Sequence, residues 1–218
     1  MIDREPKIKT ESIWGQPGQF FYKFLEDIES EGLPANICIL GCGDGRYVIP
    51  AAINGFRCTA VDINSIHLYG GIDENIKLSN KKILGLAGRV RLQGDIEDLV
   101  EIREENFLES QPQTQYSGVF LQAAIHYEIN SAYPLEHILS RIGMYVINGG
   151  FLYLEYIHRS EWNNSQDGKY ITSEDLASFY GQGWMVLKNE VQKFIDTPNP
   201  RSPNVHNLLW GTFYAKKL

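Results

Sequence analysis

The chain has 218 residues, a formal net charge of −7 and 43% hydrophobic residues, which suits one domain with a sizeable single core. An acidic chain without a basic stripe argues against a phosphate-backbone partner, so no nucleic acid is expected. There is no apolar run of about twenty residues and no charged-then-apolar leader, so we expect no membrane span and no secretion signal, and a cytoplasmic location.

The first half of the chain alternates predicted strands and helices. Residues 35–40 are nearly all apolar, as in a parallel strand that is covered on both faces. A glycine turn at 41–45 then opens a helix that runs to about Asn54. The elements predicted after it are a strand over 58–61, a helix over 65–80, a strand over 90–93 and a charged helix over 98–108.

The second half continues the alternation and ends differently. Its predicted elements are strands over 116–122 and 150–157, helices over 134–146 and 173–180, and strands over 184–195 and 206–216. A short loop cannot form a parallel crossover, so the last two strands should pair as an antiparallel hairpin at the sheet edge. The pattern therefore predicts an α/β fold with seven strands, mostly parallel.

The three cysteines, Cys38, Cys42 and Cys58, lie in or beside the first two predicted strands. An odd number of buried cysteines is typical of reduced thiols in a cytosolic protein. Their spacing suits no metal site, and we expect none.

The most informative segment covers residues 37–62. It reads Ile-Cys-Ile-Leu-Gly-Cys-Gly-Asp-Gly-Arg and, one helix later, Thr-Ala-Val-Asp, which ends at Asp62. A carboxylate at the end of a strand, about twenty residues past a glycine loop, suits the two hydroxyls of a ribose. The alternative roles of Asp62 are a helix N-cap or a turn. The segment thus predicts a site for a nucleoside-type cofactor, unless the turn has no function.

The glycine spacing bears on which cofactor that is. Dinucleotide enzymes need Gly-x-Gly-x-x-Gly, whereas Gly41, Gly43 and Gly45 form Gly-x-Gly-x-Gly, and Arg46 takes the place of the third glycine. No Tyr-x-x-x-Lys pair occurs, so the usual catalytic pair of short-chain dehydrogenases is missing. A dehydrogenase is therefore disfavoured.

Leu-Gly-Cys-Gly-Asp-Gly-Arg resembles the first motif of class I S-adenosylmethionine-dependent methyltransferases, and the order of elements over residues 15–218 matches as well. The resemblance implies a single-domain, Rossmann-like seven-stranded fold over 31–218, with residues 1–30 as a flap and helix over the site. Asp-Ile-Asn-Ser-Ile after the second strand and Thr-x-x-Asp-Leu before the hairpin are similar to small-molecule types, including tellurite-resistance and thiol methyltransferases. S-adenosylmethionine is the cofactor implied.

The resemblance also implies roles for particular residues. Asp62 would hold the ribose and Ile63 the adenine face, while Asp95 and Ile96, at the end of the supposed third strand, would bind the adenine edge; Asp95 would otherwise be a helix N-cap. The glycine backbone and the end of the fourth strand would hold the methionine part. That set is Gly41, Cys42, Gly43, Gly45, Arg46, Gln122 and Ala123, with a surface salt bridge as the alternative for Arg46.

One position departs from the family pattern. The family usually has Asp or Glu two residues before the first motif glycine, and here Ile39 stands there. The carboxylate that helps to position the cofactor's amino group or the glycine loop is thus missing from its usual place. Asp44, inside the turn, is the candidate substitute.

Acceptor residues of this fold follow the fourth strand, the fifth strand and the last loop. His126, His158 and His206 stand there, and His126 is the best candidate for a general base. Tyr22, Tyr127, Glu155 and Trp162 are the predicted acceptor-binding residues. Structural histidines and ordinary aromatic packing are the alternatives.

Methyl transfer to an O, N or S atom of a small molecule is the predicted activity, by in-line displacement in a monomer or homodimer. The absence of Asn/Asp-Pro-Pro-Tyr after the fourth strand disfavours a nucleobase acceptor. The alternative is a non-catalytic domain that binds the cofactor as a structural or regulatory ligand.

Overall fold

The computed structural model describes residues 1–76, 82–159, 170–196 and 206–218. The strands are β1 (Asn36–Leu40), β2 (Arg57–Asp62), β3 (Gly71–Ile72), β4 (Lys82–Ile83), β5 (Val100–Glu104), β6 (Tyr116–Gln122), β7 (Val146–Ile157), β8 (Trp184–Asp196) and β9 (His206–Lys217). The helices are α1 (Gln19–Ser30), α2 (Val48–Ile53), α3 (Ser65–Tyr69), α4 (Gly85–Gln93), α5 (Leu135–Met144) and α6 (Ser173–Tyr180).

Seven of these strands form one sheet in the order β5-β2-β1-β6-β7-β9-β8. The first five in that order run parallel, and β9 lies antiparallel to both β7 and β8. The α/β class and the antiparallel C-terminal hairpin are therefore confirmed. Because the strand order reverses beside β1, the carboxyl ends of β1, β2 and β6 meet around one crevice, the usual place for a ligand in an open α/β sheet.

Both faces of the sheet are covered, which explains the continuous apolar runs of its central strands. Ile39, Phe120 and Tyr153 stand side by side in the register and pack against α1 and α2. Their neighbours Leu40 and Leu121 belong to the opposite core, with α5 and α6. The two cores hold the parallel strands in place, so the loops at their carboxyl ends are supported on a rigid base.

The prediction was wrong about the third strand of the sheet. Residues 90–93 belong to α4, and the segment predicted as a charged helix contains β5. The buried positions of α4 are Gly85, Leu86, Arg89 and Val90, which have the spacing of one helical face. Two glycines in the same helix weaken that pattern in the sequence. In β5, apolar and charged residues alternate, as in a half-covered strand at the edge of a sheet.

The helix predicted over 65–80 is shorter than expected. It ends at Tyr69 because Gly70 has φ +91° and its backbone lies against Leu84, where a Cβ atom would stand 2.6 Å from the carbonyl oxygen. The chain then forms the small β3–β4 hairpin. Residues 77–81 of the predicted helix lie outside the described part of the chain.

The β8–β9 hairpin is longer than the sheet it joins. β7 ends its pairing with β9 at Ile157 and Trp210, whereas β8 and β9 remain paired as far as Asp196 and His206. A bulge interrupts β8 between Val186 and Lys188. Among the described helices, none has both the length and the apolar character needed to cross a bilayer.

Candidate cofactor and acceptor site

The glycine turn after β1 brings bare backbone into the crevice. Gly41, Gly43 and Gly45 all have positive φ, at +68°, +55° and +88°. A Cβ atom on Gly41 would stand 2.5 Å from Cβ of Ala124, and one on Gly45 would stand 2.4 Å from Leu86 Cδ1. Both positions therefore require glycine for close packing as well as for backbone conformation. Cys42 is buried within the turn, and burial raises the pKa of its thiol well above the usual range, so the thiol stays neutral.

Asp62 stands at the end of β2, beside the turn. Its Oδ2 accepts a hydrogen bond from the Gly43 amide at 2.7 Å, and Oδ1 accepts one from the Asn64 amide at 2.9 Å. A carboxylate can accept about four hydrogen bonds, so each oxygen keeps capacity for a hydroxyl donor. The side chain is half-buried, and the next residue, Ile63, is exposed. This arrangement fits a ribose diol, with Ile63 available to contact a base.

Asp44, the other acid of the turn, faces the N-terminal segment. It is 1% exposed, and its carboxylate accepts hydrogen bonds from Ser12 Oγ at 2.5 Å and from the Ile13 amide at 2.9 Å. Arg89 lies 3.6 Å from the same carboxylate and donates to the Asp44 carbonyl at 2.6 Å. The buried carboxylate thus holds the N-terminal segment against the turn, and its role as a substitute for the acid missing at Ile39 stays a prediction.

The N-terminal segment crosses the glycine turn as a result of this anchoring. The Trp14 indole nitrogen lies 3.2 Å from where a Cβ of Gly43 would be, and the indole ring meets His67 edge-on with centroids 5.9 Å apart. Arg46 Nε donates to the Gln16 carbonyl at 2.7 Å. The segment therefore forms one wall of the crevice.

A row of polar side chains lies on the side of the crevice away from Asp62. Gln122 Oε1 accepts from Arg46 Nη1 at 3.1 Å and from the Tyr47 hydroxyl at 2.6 Å. Gln122 Nε2 donates to Glu155, whose other oxygen accepts from the Tyr153 hydroxyl. Burial, and next the negative charge of Glu155, raise the pKa of Tyr153, so this phenol stays a donor. The row joins the turn, β6 and β7.

The backbone at the end of β6 is strained. Ala123 has φ +52°, the one positive φ at a non-glycine residue in the described part of the chain. Its amide donates to the Glu155 carbonyl at 2.8 Å, and the next residue, Ala124, packs against Gly41. Strain of this kind persists where the surroundings fix the backbone, and it concentrates at functional sites. Here it turns the chain sharply out of β6 beside the crevice.

Two predicted adenine residues lie at the wrong end of the sheet. Asp95 and Ile96 precede β5, so they stand at the amino edge of the parallel strands, opposite Asp62. The residues that follow β5 at the carboxyl edge are Glu105, Asn106 and Phe107. Asn106 is half-buried with its Oδ1 accepting from the Leu108 amide at 3.0 Å, and Phe107 is buried. The alternation of apolar and charged residues in Val-Glu-Ile-Arg-Glu identifies β5, and the residues that follow this strand are the ones at the carboxyl edge.

His126 and Tyr127 stand directly after the strained end of β6. Their rings stack with centroids 4.6 Å apart, and His126 is half-buried while Tyr127 is exposed. Asn130 shapes this loop from below, because its Nδ2 donates to the carbonyls of Ala124 at 2.7 Å and Ile125 at 3.0 Å. The structure thus brings both residues to the crevice side of the sheet, beside Gln122.

The other predicted acceptor residues are spread over several parts of the fold and do not form one cluster with His126 and Tyr127. His158 follows β7, where its amide donates to the Leu209 carbonyl at 2.8 Å and its Nδ1 lies 2.7 Å from the Arg159 carbonyl oxygen. His206 begins β9, at the far end of the hairpin. Tyr22 is 3% exposed and lines a cavity of about 360 Å³ with Arg4, Pro6, Ile8 and Gln16, formed by the N-terminal segment and the start of α1. Trp162 lies outside the described residues.

Known structures resemble this chain over most of its length. TehB from Haemophilus influenzae matches with a TM-score of 0.63 at 13% identity, over 88% of this chain and 62% of its own. A 1,6-didemethyltoxoflavin N1-methyltransferase from Burkholderia thailandensis, solved with bound 1,6-didemethyltoxoflavin and S-adenosylhomocysteine, matches with a TM-score of 0.58 at 16% identity, over 90% of this chain and 77% of its own. A putative RNA methyltransferase from Pyrococcus horikoshii matches at 0.58 and 11%, over 99% and 92%.

At these identities the matches show the fold, which is that of the S-adenosylmethionine-dependent methyltransferases. This chain spans 62% of the length of the TehB chain, so the longer protein has parts without a counterpart here. No protein-family model and no curated sequence matches the chain. The resemblance that the glycine turn predicted is thus confirmed at the level of the fold.

Proposed function

We propose that this protein is an S-adenosylmethionine-dependent methyltransferase that acts on an O, N or S atom of a small molecule. The observation that carries the proposal is the pairing of a bare glycine turn with the half-buried carboxylate of Asp62, which binds the turn at 2.7 Å and keeps free lone pairs. The fold places both at the carboxyl edge of the sheet. Free, buried cysteines are consistent with a reducing, cytoplasmic setting.

The residues of the crevice divide along the length of such a cofactor. Asp62 would bind the ribose hydroxyls and Ile63 the adenine face, while Asn106 and Phe107 take the place first given to Asp95 and Ile96. The remaining cofactor residues line the turn and the end of β6, and they are Gly41, Cys42, Gly43, Gly45, Arg46, Gln122 and Ala123.

The cofactor supplies a methyl group on a positively charged sulfur, which a nucleophile displaces in line. The chain's task is then to align the acceptor at near-contact distance and to exclude water. Trp14 and the anchored N-terminal segment close one side of the crevice. A general base is needed only for an acceptor that arrives protonated, and His126, beside the strained end of β6, is our candidate.

The acceptor side is proposed from position. His126 and Tyr127 are its main residues, while His158 and His206 are secondary candidates at the end of β7 and on the hairpin. Trp162 remains a prediction outside the described residues. Tyr22 lines the cavity formed by the N-terminal segment and the start of α1, and its part in acceptor binding stays a prediction.

A small molecule is favoured over nucleic acid by charge. The net charge of −7 would repel a polyanion, although one protein of similar fold is a putative RNA methyltransferase. We propose that the enzyme works as a monomer or homodimer, without a membrane or nucleic-acid partner.

Calorimetric titration with S-adenosylhomocysteine, with NAD as the control ligand, tests the proposal. Micromolar binding of S-adenosylhomocysteine alone is expected, and it would justify a screen of acceptors with labelled cofactor. Binding of NAD alone would overturn the interpretation of the glycine spacing. Binding of neither ligand would contradict the assignment of the site.

A second candidate is a domain that binds the cofactor without catalysis. It is favoured by Ile39, which is 2% exposed in the core, so the usual acid is missing from its position. The proposed methyltransferase activity requires a methylated product in the labelled-cofactor screen. Binding of S-adenosylhomocysteine without product from any acceptor class would favour this second candidate.

A further inference from the structure

We infer that Glu155 binds the α-ammonium group of the cofactor's amino-acid end, opposite Arg46, which faces the α-carboxylate. This inference rests on the proposed function and moves Glu155 from the acceptor side, where the sequence suggested it, to the cofactor. The observation behind it is the row Arg46–Gln122–Glu155, which puts a cation and an anion on either side of one amide.

The register of the strands sets the position of Glu155. Gln122 and Glu155 are direct partners on β6 and β7, one step beyond the Leu121–Leu154 pair and level with the start of the glycine turn. Glu155 lies on the same face of β7 as Tyr153, two residues earlier, because side chains alternate along a strand. Its carboxylate therefore stands above the aromatic core, on the Gln122 side of the crevice.

The orientation of the Gln122 amide is fixed by its partners. Arg46 and Tyr47 are donors, so the amide oxygen must face them and the amide nitrogen must face Glu155. Glu155 receives one donor on each oxygen, from Gln122 and Tyr153. Because a carboxylate accepts about four hydrogen bonds, an ammonium group can still bind it. The side chains of Gln122 and Glu155 are thus held in place by the hydrogen bonds that they accept.

The charges match the chemistry of an amino-acid head group. An α-amino acid carries a cation and an anion on one carbon, and a site for it needs the opposite charges side by side. Arg46 and Glu155 supply them, both half-buried, where charge-assisted hydrogen bonds are strong. Ile39 offers no charge, and the Asp44 carboxylate is buried, at 1% exposure, against Ser12, Ile13 and Arg89, whereas Glu155 is only half-buried. Glu155 lies on β7, two strands away from β1. It thus provides the negative charge in the crevice that the glycine turn does not supply.

The test is a cycle that removes the amino group from the ligand and the charge from the protein. Calorimetry would measure binding of S-adenosylhomocysteine and of its des-amino analogue to the wild type and to Glu155→Gln. Wild type should lose about ten- to a hundredfold in affinity when the amino group is removed. Glu155→Gln should bind S-adenosylhomocysteine with a similar loss and bind the two ligands within about twofold of each other.

Glu190→Gln is the matched control, because Glu190 and Glu155 both pair with Thr212 and only Glu155 reaches the crevice. It should behave as wild type does. Equal binding of the two ligands by wild type would overturn the inference even if Glu155→Gln does not fold. An equal loss for both ligands in Glu155→Gln would assign the residue a merely structural role. Failure of wild type to bind S-adenosylhomocysteine would overturn the proposed function, and the inference with it.

Discussion

Asp62 and Asp95 looked equivalent in the sequence, since each followed a stretch expected to be a strand, yet the structure puts them at opposite edges of the sheet. Asp62→Ala should weaken binding of S-adenosylhomocysteine by about 2–3 kcal/mol through lost charge-assisted hydrogen bonds. Asp95→Ala is the control, because it removes a carboxylate of the same kind, exposed and away from the crevice, and should leave the affinity unchanged. Calorimetry on both variants measures the difference, and unchanged binding in Asp62→Ala would contradict the placement of the ribose.

At His126 the prediction concerns rate and not affinity. If this histidine takes a proton from the acceptor, His126→Ala should lower kcat by about a hundredfold or more and leave the affinity for S-adenosylhomocysteine unchanged. The pH profile of kcat/KM should also lose its acidic limb. An unchanged rate with an acceptor that arrives protonated would show that His126 is structural, held in its ring stack with Tyr127.

At the scale of elements, two glycine substitutions separate the cost of backbone strain from the cost of steric crowding in the glycine turn. Gly41 and Gly32 have nearly the same φ, +68° and +66°, but a Cβ on Gly32 would meet nothing within 4 Å. Gly32→Ala should therefore cost only the backbone penalty, about 1–2 kcal/mol in urea unfolding. Gly41→Ala should cost more, because its Cβ would stand 2.5 Å from that of Ala124, and should also weaken S-adenosylhomocysteine binding.

Equal free energies of unfolding for Gly32→Ala and Gly41→Ala would mean that Ala124 moves aside freely. The packing of the β6 end against the turn would then have no energetic role. The affinity of Gly41→Ala for S-adenosylhomocysteine would then show whether the substitution still disturbs the crevice.

Elements with regular patterns were predictable, and those set by competing signals were not. The helix predicted over 173–180 is present as α6, where Thr172 caps its start and Asp175 completes a capping box. The apolar run of β1 likewise identified a buried strand. In contrast, α4 and β5 were misassigned because two glycines weakened the helical pattern and charges obscured the alternation.

The candidate site was predictable where local chemistry decides it. The turn and Asp62 are close in sequence, and short-range spacing located them. The row Arg46–Gln122–Glu155 joins the glycine turn, β6 and β7, and its two ends, Arg46 and Glu155, are 109 positions apart in the sequence. Strand register creates that contact, and no pattern in a single sequence specifies it.

For the whole molecule, buried phenols predict loss of stability in alkali. Burial raises the pKa of five tyrosines far above the usual value, namely Tyr47, Tyr153, Tyr156, Tyr180 and Tyr214. In the unfolded chain they ionise near pH 10. Folded-state pKa values above unfolded ones give stability that is full below about pH 10 and falls as the pH rises further.

Urea unfolding between pH 8 and 11 checks this expectation. The midpoint should hold up to about pH 10 and then fall, with phenolate absorbance rising as the protein unfolds. A midpoint that stays constant to pH 11 would contradict the burial of these hydroxyl groups. Tyr180→Phe offers a comparison, because Tyr180 donates to the Leu139 carbonyl at 2.7 Å and its removal should soften the alkaline fall.

The two outer strands of the sheet, β5 and β8, have consequences for aggregation. An exposed strand edge is a template for a strand of another molecule, and charges or bulges are the usual protections. β5 carries an ion pair between Glu101 and Arg103, and β8 carries one between Lys188 and Glu190 beside its bulge at Leu187, among exposed apolar side chains. Deleting Leu187 would straighten that edge and leave it only its ion pair as protection, so concentrated solutions of the variant should aggregate more readily than those of the wild type.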